Sequence, residues 1–211
     1  MNWIEFWARF MSRRVIVYAD FIDPFGYIGL QNLWGPLAAA GAVFDWRGFE
    51  LNPQTPPGGM LLQTAENSDL RPGMWASVRD YAQRSGLQLA EPRWVPNTRR
   101  AQLLVRAAPN LAVKKSLIER IYRAYFSDQK DIGDRQVLQT LAEELKMPIR
   151  RDEPALAEAL PEAAVLEKNR DAAKRRAFPG MPGFAYRGKT YFGALSEERW
   201  NAILKRSSTK G

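Results

Sequence analysis

The 211-residue chain carries 31 Lys and Arg against 23 Asp and Glu, a net charge of +8, and is 45% hydrophobic with seven Trp, enough for a packed core. It contains no cysteine and no histidine. That excludes disulfides, thiolate nucleophiles, zinc–thiolate sites and thiol redox couples, and it removes the usual general base and the commonest metal ligand.

At the N-terminus Trp3, Ile4, Trp7, Phe10 and Met11 form a short stripe at helical spacing, but Glu5 and Arg9 interrupt any signal-peptide core. A cytoplasmic location is the expectation that follows, and no apolar run is long enough to span a bilayer. Val15 to Tyr18 is an unbroken apolar, β-branched and aromatic run, which suits a strand buried on both faces. Asp23-Pro24 then reads as a helix start, a carboxylate for the orphan amides followed by proline at the first helical position. Tyr27, Leu30, Leu33, Trp34 and Leu37 continue at helical spacing. The strand therefore runs through a four-residue corner into a helix whose positive end opens beside it, the place where α/β folds put ligands.

Val43 to Leu51 predicts a second strand, stopped by the dense turn signals of Asn52-Pro53 and Pro56-Pro57-Gly58-Gly59. Strand, helix and strand of these lengths fit a right-handed crossover with parallel strands. From Met60 to Phe178 the pattern is helical, with helices predicted over 73–85, 98–108, 111–127, 134–146 and 161–177. Asn97-Thr98 and Asp134 are N-cap candidates. A hairpin follows over Gly183 to Phe192, turning on Arg187-Gly188, and Ser196 caps a last helix through Trp200 and Leu204. The predicted architecture is α/β, a thioredoxin-like fold (β-α-β, then β-β-α) with an inserted α-helical domain. Its expected divisions are an N-terminal extension (1–14), a thioredoxin-like domain (15–59 and 178–211) and the helical insertion (60–177).

Several segments resemble the DsbA-like thioredoxin family, in particular the branch of 2-hydroxychromene-2-carboxylate isomerases, kappa-class glutathione transferases and polyketide-associated dithiol–disulfide isomerases. Tyr18 to Gly29 resembles the family's strand followed by Cys-Pro-Trp-Cys-Tyr-Ile-Gly. Trp46 to Pro53 resembles its second-strand signature, and Asn97-Thr98-Arg99 a helix start that lines its site. Tyr122 to Phe126 with Asp131 to Asp134 is similar to its long-helix segment, and Pro179 to Pro182 to its cis-proline loop. The resemblance implies a cis Met181-Pro182 bond facing the first helix.

Aligned this way, Asp23 stands where the family has its attacking cysteine or serine, and Gly26 where it has the resolving cysteine. Thiol–disulfide exchange by this polypeptide is then chemically impossible. The glutathione-dependent branch needs no protein cysteine, so the resemblance implies a small anionic or peptide-like ligand, glutathione foremost, between Asp23 and Pro182. The ligand-binding residues it implies are Phe25, Gly26, Tyr27, Asn52, Asn97, Thr98, Met181 and Pro182. Several of these positions also have a plainer reading: Asp23, Asn97 and Thr98 as caps, Asn52 as a turn residue, Phe25 and Tyr27 as packing. A carboxylate at 23 would oppose a bound thiolate by about 1–4 kcal/mol at intermediate dielectric, and as a helix cap its pKa is expected to be lowered, making it a poor base. Asp128, Asp131 and Asp134 lack calcium-loop spacing, so no metal is expected. Two alternatives stand beside the binder. One is a non-catalytic interaction or scaffold protein that holds a partner or a second copy, as a homodimer, through the cleft or the Trp3/Trp7 stripe. The other is residual glutathione-dependent isomerase or transferase activity. Paired basic residues without interleaved aromatics argue against nucleic acid.

Overall fold

In a computed structural model of the protein, residues 13–62, 71–149 and 164–205 are described. The N-terminal stripe, and the first residues of the helix predicted over 161–177, lie outside them. Strand β1 (Arg14–Ala19) is followed by helix α1 (Pro24–Ala39) and β2 (Val43–Gly48). A short β3 (Met60–Leu61), α2 (Arg71–Arg84), β4 (Trp94–Val95), α3 (Arg99–Ala107), α4 (Leu111–Phe126), α5 (Arg135–Glu144) and α6 (Ala164–Arg175) come next. The hairpin β5 (Gly183–Tyr186) and β6 (Lys189–Phe192) and helix α7 (Glu197–Lys205) are the last elements of the described residues.

The main sheet has the order β2-β1-β5-β6, with β1 parallel to β2 and antiparallel to β5. This is the thioredoxin-like arrangement. The crossover through α1 forces the parallel pair, and the two-residue turn at Arg187-Gly188, both at positive φ, forces the antiparallel one. β1 is central, which is why Val15, Val17 and Ala19 are wholly buried. β2 stops at Gly48 rather than Leu51, because the chain leaves the ladder where Leu51 turns its amide to a side chain.

The helix starts follow their sequence signals. Asp23 Oδ1 accepts from the amide of Phe25, and Asp134 Oδ1 from those of Gln136 and Val137. Ser196 Oγ accepts from the Arg199 amide. One expectation is corrected. The stretch from Met60 to Phe178 is not helical throughout, since Met60 pairs with Val95 and Leu61 with Trp94 in a two-stranded antiparallel sheet. Strands of two residues are too short to display a period of two, and Pro92 and Pro96 beside β4 hide it further.

Two contacts fix the layers. Phe184 of β5 lies under both α1, near Gly29, and α7, where it meets Trp200 edge-on at 5.0 Å. Those two helices therefore share one face of the sheet. On the opposite face Tyr18 packs against Phe178 at 5.5 Å and its hydroxyl accepts from Arg176. The helical layer joins α1 through aromatic rings: Tyr27 stacks on Tyr122 of α4 with centroids 5.0 Å apart and planes within 3°. Among the described residues no helix is long and apolar enough to cross a membrane.

Trp200 is fully buried between Phe184 and Tyr191. Its replacement by Ala should cost about 3–5 kcal/mol, read as a lowered denaturant midpoint with α7 undocked; an unchanged midpoint would place α7 outside the cooperative unit.

Candidate functional site

β1 delivers the chain into the corner at Asp20. The Asp20 carbonyl is the hub of this corner: it accepts from the Asp23 amide at 3.1 Å and from the Tyr122 hydroxyl at 2.9 Å. The turn so closed sets Asp23 at the mouth of α1, where its carbonyl receives the Gly26 and Tyr27 amides and its Oδ1 receives that of Phe25 at 2.9 Å. The Asp23 residue is only 6% exposed, and Oδ2 is buried with no hydrogen-bond partner among the described residues.

The electrostatic outcome overturns one expectation. Burial pushes the Asp23 carboxyl up to about 7; the amides of Gly26 and Phe25 pull it down and the charge on Asp20 pushes it further up. The expectation of a lowered value counted the cap and the helix dipole but not the burial. Amide donors and the dipole offset part of the desolvation, and the second oxygen has no donor among the described residues.

Beside it lies a second carboxyl, fully buried. Asp20 Oδ1 accepts from the Phe21 amide (2.8 Å) and Gln102 Nε2 (3.4 Å), and Oδ2 from the Leu51 amide (2.7 Å). Burial raises its pKa to about 6, opposed by a hydrogen bond from Thr98 and those from Leu51 and Phe21, with the charge on Glu50 adding to the rise. Gln102, itself buried, donates also to the carbonyls of Ala19 and Phe49 at 3.2 Å each and accepts from Trp46 Nε1 at 2.9 Å. A side chain at Gly48 would bring its Cβ to 2.5 Å from the Gln102 amide oxygen, so the strand end has to be glycine. Glu50, 4% exposed, is held by Arg99 (3.0 and 3.3 Å) and Arg170 (3.3 Å), tying the strand exit to α3 and α6.

The sequence-derived site residues divide among these groups. Thr98 bonds Asp20 rather than capping α3 with its side chain. The cap falls to Asn97, whose Oδ1 accepts from the Arg99 amide while Nδ2 donates to the Thr55 carbonyl at 2.7 Å. The Asn52 carbonyl accepts from both the amide and the hydroxyl of the same Thr55, so Asn52 and Asn97 meet through it. Phe25 meets Tyr81 of α2 edge-on at 5.8 Å. The Tyr27 hydroxyl has a raised pKa, from burial first and then the charge on Glu119. Met181-Pro182 is a cis bond, and the Pro182 carbonyl accepts from the Gly193 amide, whose own carbonyl lies against Gly29 of α1. Asp128 pairs with Arg120, Asp131 accepts from the Gly133 amide, and Asp134 caps α5.

Sequence reasoning singled out none of Asp20, Gln102, Glu50 or Tyr122 as site residues. Two signals stood in the sequence: a pair of aspartates three apart at a strand end, and a lone amide inside the apolar run Ala101 to Val105. Gly26, read as the loss of a cysteine, has a structural partner. A Cβ there would stand 2.6 Å from the Tyr122 hydroxyl and 3.4 Å from Asp23 Oδ2. The hydroxyl fills the space that a larger residue at 26 would need.

These features define a thioredoxin-like protein whose α1 mouth presents a carboxyl in place of a sulfur. The DSBA-like thioredoxin domain model matches residues 14–205, and the chain belongs to that family. Among relatives, the uncharacterised protein YwbO of Bacillus subtilis is 25% identical over 138 residues, 64% of this chain and 67% of its own length. A probable DsbA oxidoreductase of Streptomyces coelicolor superposes with a TM-score of 0.79 at 20% identity, covering 94% of this chain and 91% of that one. The cytosolic disulfide reductase DsbM of Pseudomonas aeruginosa, solved with GSH, gives 0.67 at 20% identity over 92% and 98%. At such identities the structural likenesses are likenesses of fold.

Two predictions follow from this geometry. Asp23 binds its proton more tightly folded (about 7) than unfolded (near 3.8), so its burial is without penalty below pH 4 and destabilises increasingly as pH rises to 7. Asn keeps the cap without the charge, so Asp23→Asn should match wild type at pH 4 and exceed it above pH 7 by an amount on the order of 4 kcal/mol. Denaturant midpoints across pH read this gap, and a gap independent of pH refutes the buried-acid description. Separately, Gly26→Ala should cost about 1–3 kcal/mol through contact with the Tyr122 hydroxyl, and Tyr122→Phe should relieve most of that cost. A double-mutant cycle with no coupling energy would show that the two do not share this space.

Proposed function

We propose that the protein binds a small anionic or peptide-like molecule, with glutathione the leading candidate, in the cleft between Asp23 and Met181-Pro182. It does so without thiol–disulfide exchange, for which a chain without cysteine has no atoms. The observation that carries this reading is Asp23 Oδ2, a buried oxygen at the mouth of a helix with no hydrogen-bond partner among the described residues. Orphaned buried polar atoms are uncommon in folded proteins and call for a partner.

A ligand thiol or thiolate fits this position better than a permanently charged carboxylate would allow. With a value near 7, much of the carboxyl is protonated at neutral pH. In that form it donates a hydrogen bond to an anion instead of repelling it. The repulsion of about 1–4 kcal/mol expected for a fixed charge thus falls away as the proton is retained. Glutathione supplies a thiol and two carboxylates; the chain supplies Asp23 at the thiol end, the positive end of the α1 dipole, and the backbone at Met181 beside the cis bond for pairing with a peptide. That the related fold of DsbM has been solved with GSH supports the choice of probe.

The same near-neutral carboxyl favours one second reading, a glutathione-dependent isomerase or transferase in which Asp23 accepts and returns a proton. A base whose pKa lies near the working pH is the efficient one.

Calorimetry and thermal shift with reduced glutathione and an S-alkyl glutathione, at millimolar concentration, test the binder. Binding heat is expected with both. Asp23→Asn should leave S-alkyl glutathione binding unchanged and alter the pH dependence for the free thiol. No heat and no shift with either compound would remove the ligand and leave a scaffold role.

A further inference from the structure

A polar cavity of about 240 Å3 lies along β2, with no α1 residue in its wall. Four elements bring a cation to its wall: Arg14 from β1, Arg47 from β2, Arg106 from α3 and Lys114 from α4. The carboxylate in the same wall is Asp45, and one of its oxygens, Oδ2, is already shared by Arg47 at 2.8 Å and Arg14 at 3.2 Å. The Nε of Arg47 is buried and has no hydrogen-bond partner among the described residues. A guanidinium so placed has part of its fork engaged on Asp45 and a buried N–H left to bond.

Lys114 gives an independent sign of the local field. Its pKa is lowered, by burial first; Asp45 acts to raise it and Arg106 to lower it further. The ammonium is thus in a half-dry place where Asp45 does not offset the burial and the neighbouring cation. Such a place is stabilised by an added negative charge. The wall is also rigid. Asn169 of α6 is buried and donates to the Gly48 carbonyl at 3.1 Å, and the Trp46 indole is fixed by Gln102 and by stacking on Phe21 at 5.3 Å. Side chains held this way need little ordering when a ligand arrives.

We propose that this cavity is a second binding site, for a small organic dianion whose charged end, a phosphate monoester or paired carboxylates, sits between Arg47 and Lys114. The volume admits the charged group and a short organic tail, with the tail toward the apolar part of the wall at Val165 and Leu166. The site is separate from the proposed glutathione cleft and stands whether or not that reading does.

The test uses the full chain with inorganic phosphate, glycerol phosphate and citrate, each against chloride at matched ionic strength. Saturating probe should raise the melting temperature by about 5 °C over chloride, with one binding site by calorimetry. Lys114→Gln and Arg47→Gln should each weaken binding about tenfold, whereas Arg187→Gln, which removes the same charge from the β5–β6 turn, should change it by less than about twofold. Preference for the phosphates assigns a phosphate ester, and preference for citrate a polycarboxylate. Stabilisation no greater than that by chloride, or an equal loss in Arg187→Gln, overturns the proposal.

Discussion

Burial of two carboxyls at the end of β1 is the constraint on which the rest of the structure turns. Removing a carboxylate from water costs several kcal/mol unless donors replace the water or a proton removes the charge. Asp20 is answered mainly by donors, and they come from the corner itself (Phe21), from the exit of β2 (Leu51) and from α3 (Thr98 and Gln102). Satisfying this one side chain therefore brings three parts of the chain to one point. Asp23 is answered in part by a proton, its pKa raised to about 7, because Oδ2 has no donor among the described residues. The two aspartates, three residues apart, thus take different chemical roles from the same burial.

The space in front of Gly26 is not open. Tyr122 puts its hydroxyl where a Cβ at position 26 would go and bonds the Asp20 carbonyl from there, while its ring stacks on Tyr27 and meets Phe21 edge-on at 4.9 Å. One side chain so closes the corner, fixes the start of α1 and joins the helical layer to the sheet. Because that hydroxyl holds the carbonyl to which the Asp23 amide also donates, it positions the acid without touching it. Glycine at 26 is accordingly part of a packed arrangement, and a larger residue there would have to displace a buried, bonded ring.

What the sequence disclosed and what it hid divide along physical lines. The parallel strands, α1, the hairpin on Arg187-Gly188 and the helix starts at Asp23, Asp134 and Ser196 were legible because each rests on local signals: apolar periodicity, turn residues, caps. The cis bond at Met181-Pro182 was legible only through family resemblance. The β3–β4 pair was not legible, since two-residue strands carry no period. Nor was the acidity of Asp23, because helix capping is written in the local sequence whereas burial is supplied by α4, some hundred residues on. The Glu50 clamp was hidden for the same reason, its two arginines lying 49 and 120 residues away.

Gln102 shows why the chemistry of such a fold can change while its frame persists. Its amide nitrogen serves Asp20 and two carbonyls on the side of the α1 mouth; its amide oxygen serves Trp46, in the wall of the cavity along β2. None of these bonds requires sulfur, and each binds backbone or a buried polar group that must be satisfied whatever stands at positions 23 and 26. The frame is therefore held by amide and carboxyl groups behind the α1 mouth, while Asp23 and Gly26 at the mouth serve the helix cap and the packing of Tyr122. A cysteine lost there removes a reaction without removing any of the bonds that hold the corner. What remains at the mouth of α1 is a buried carboxyl of near-neutral pKa, a group whose chemistry is proton transfer and not redox exchange.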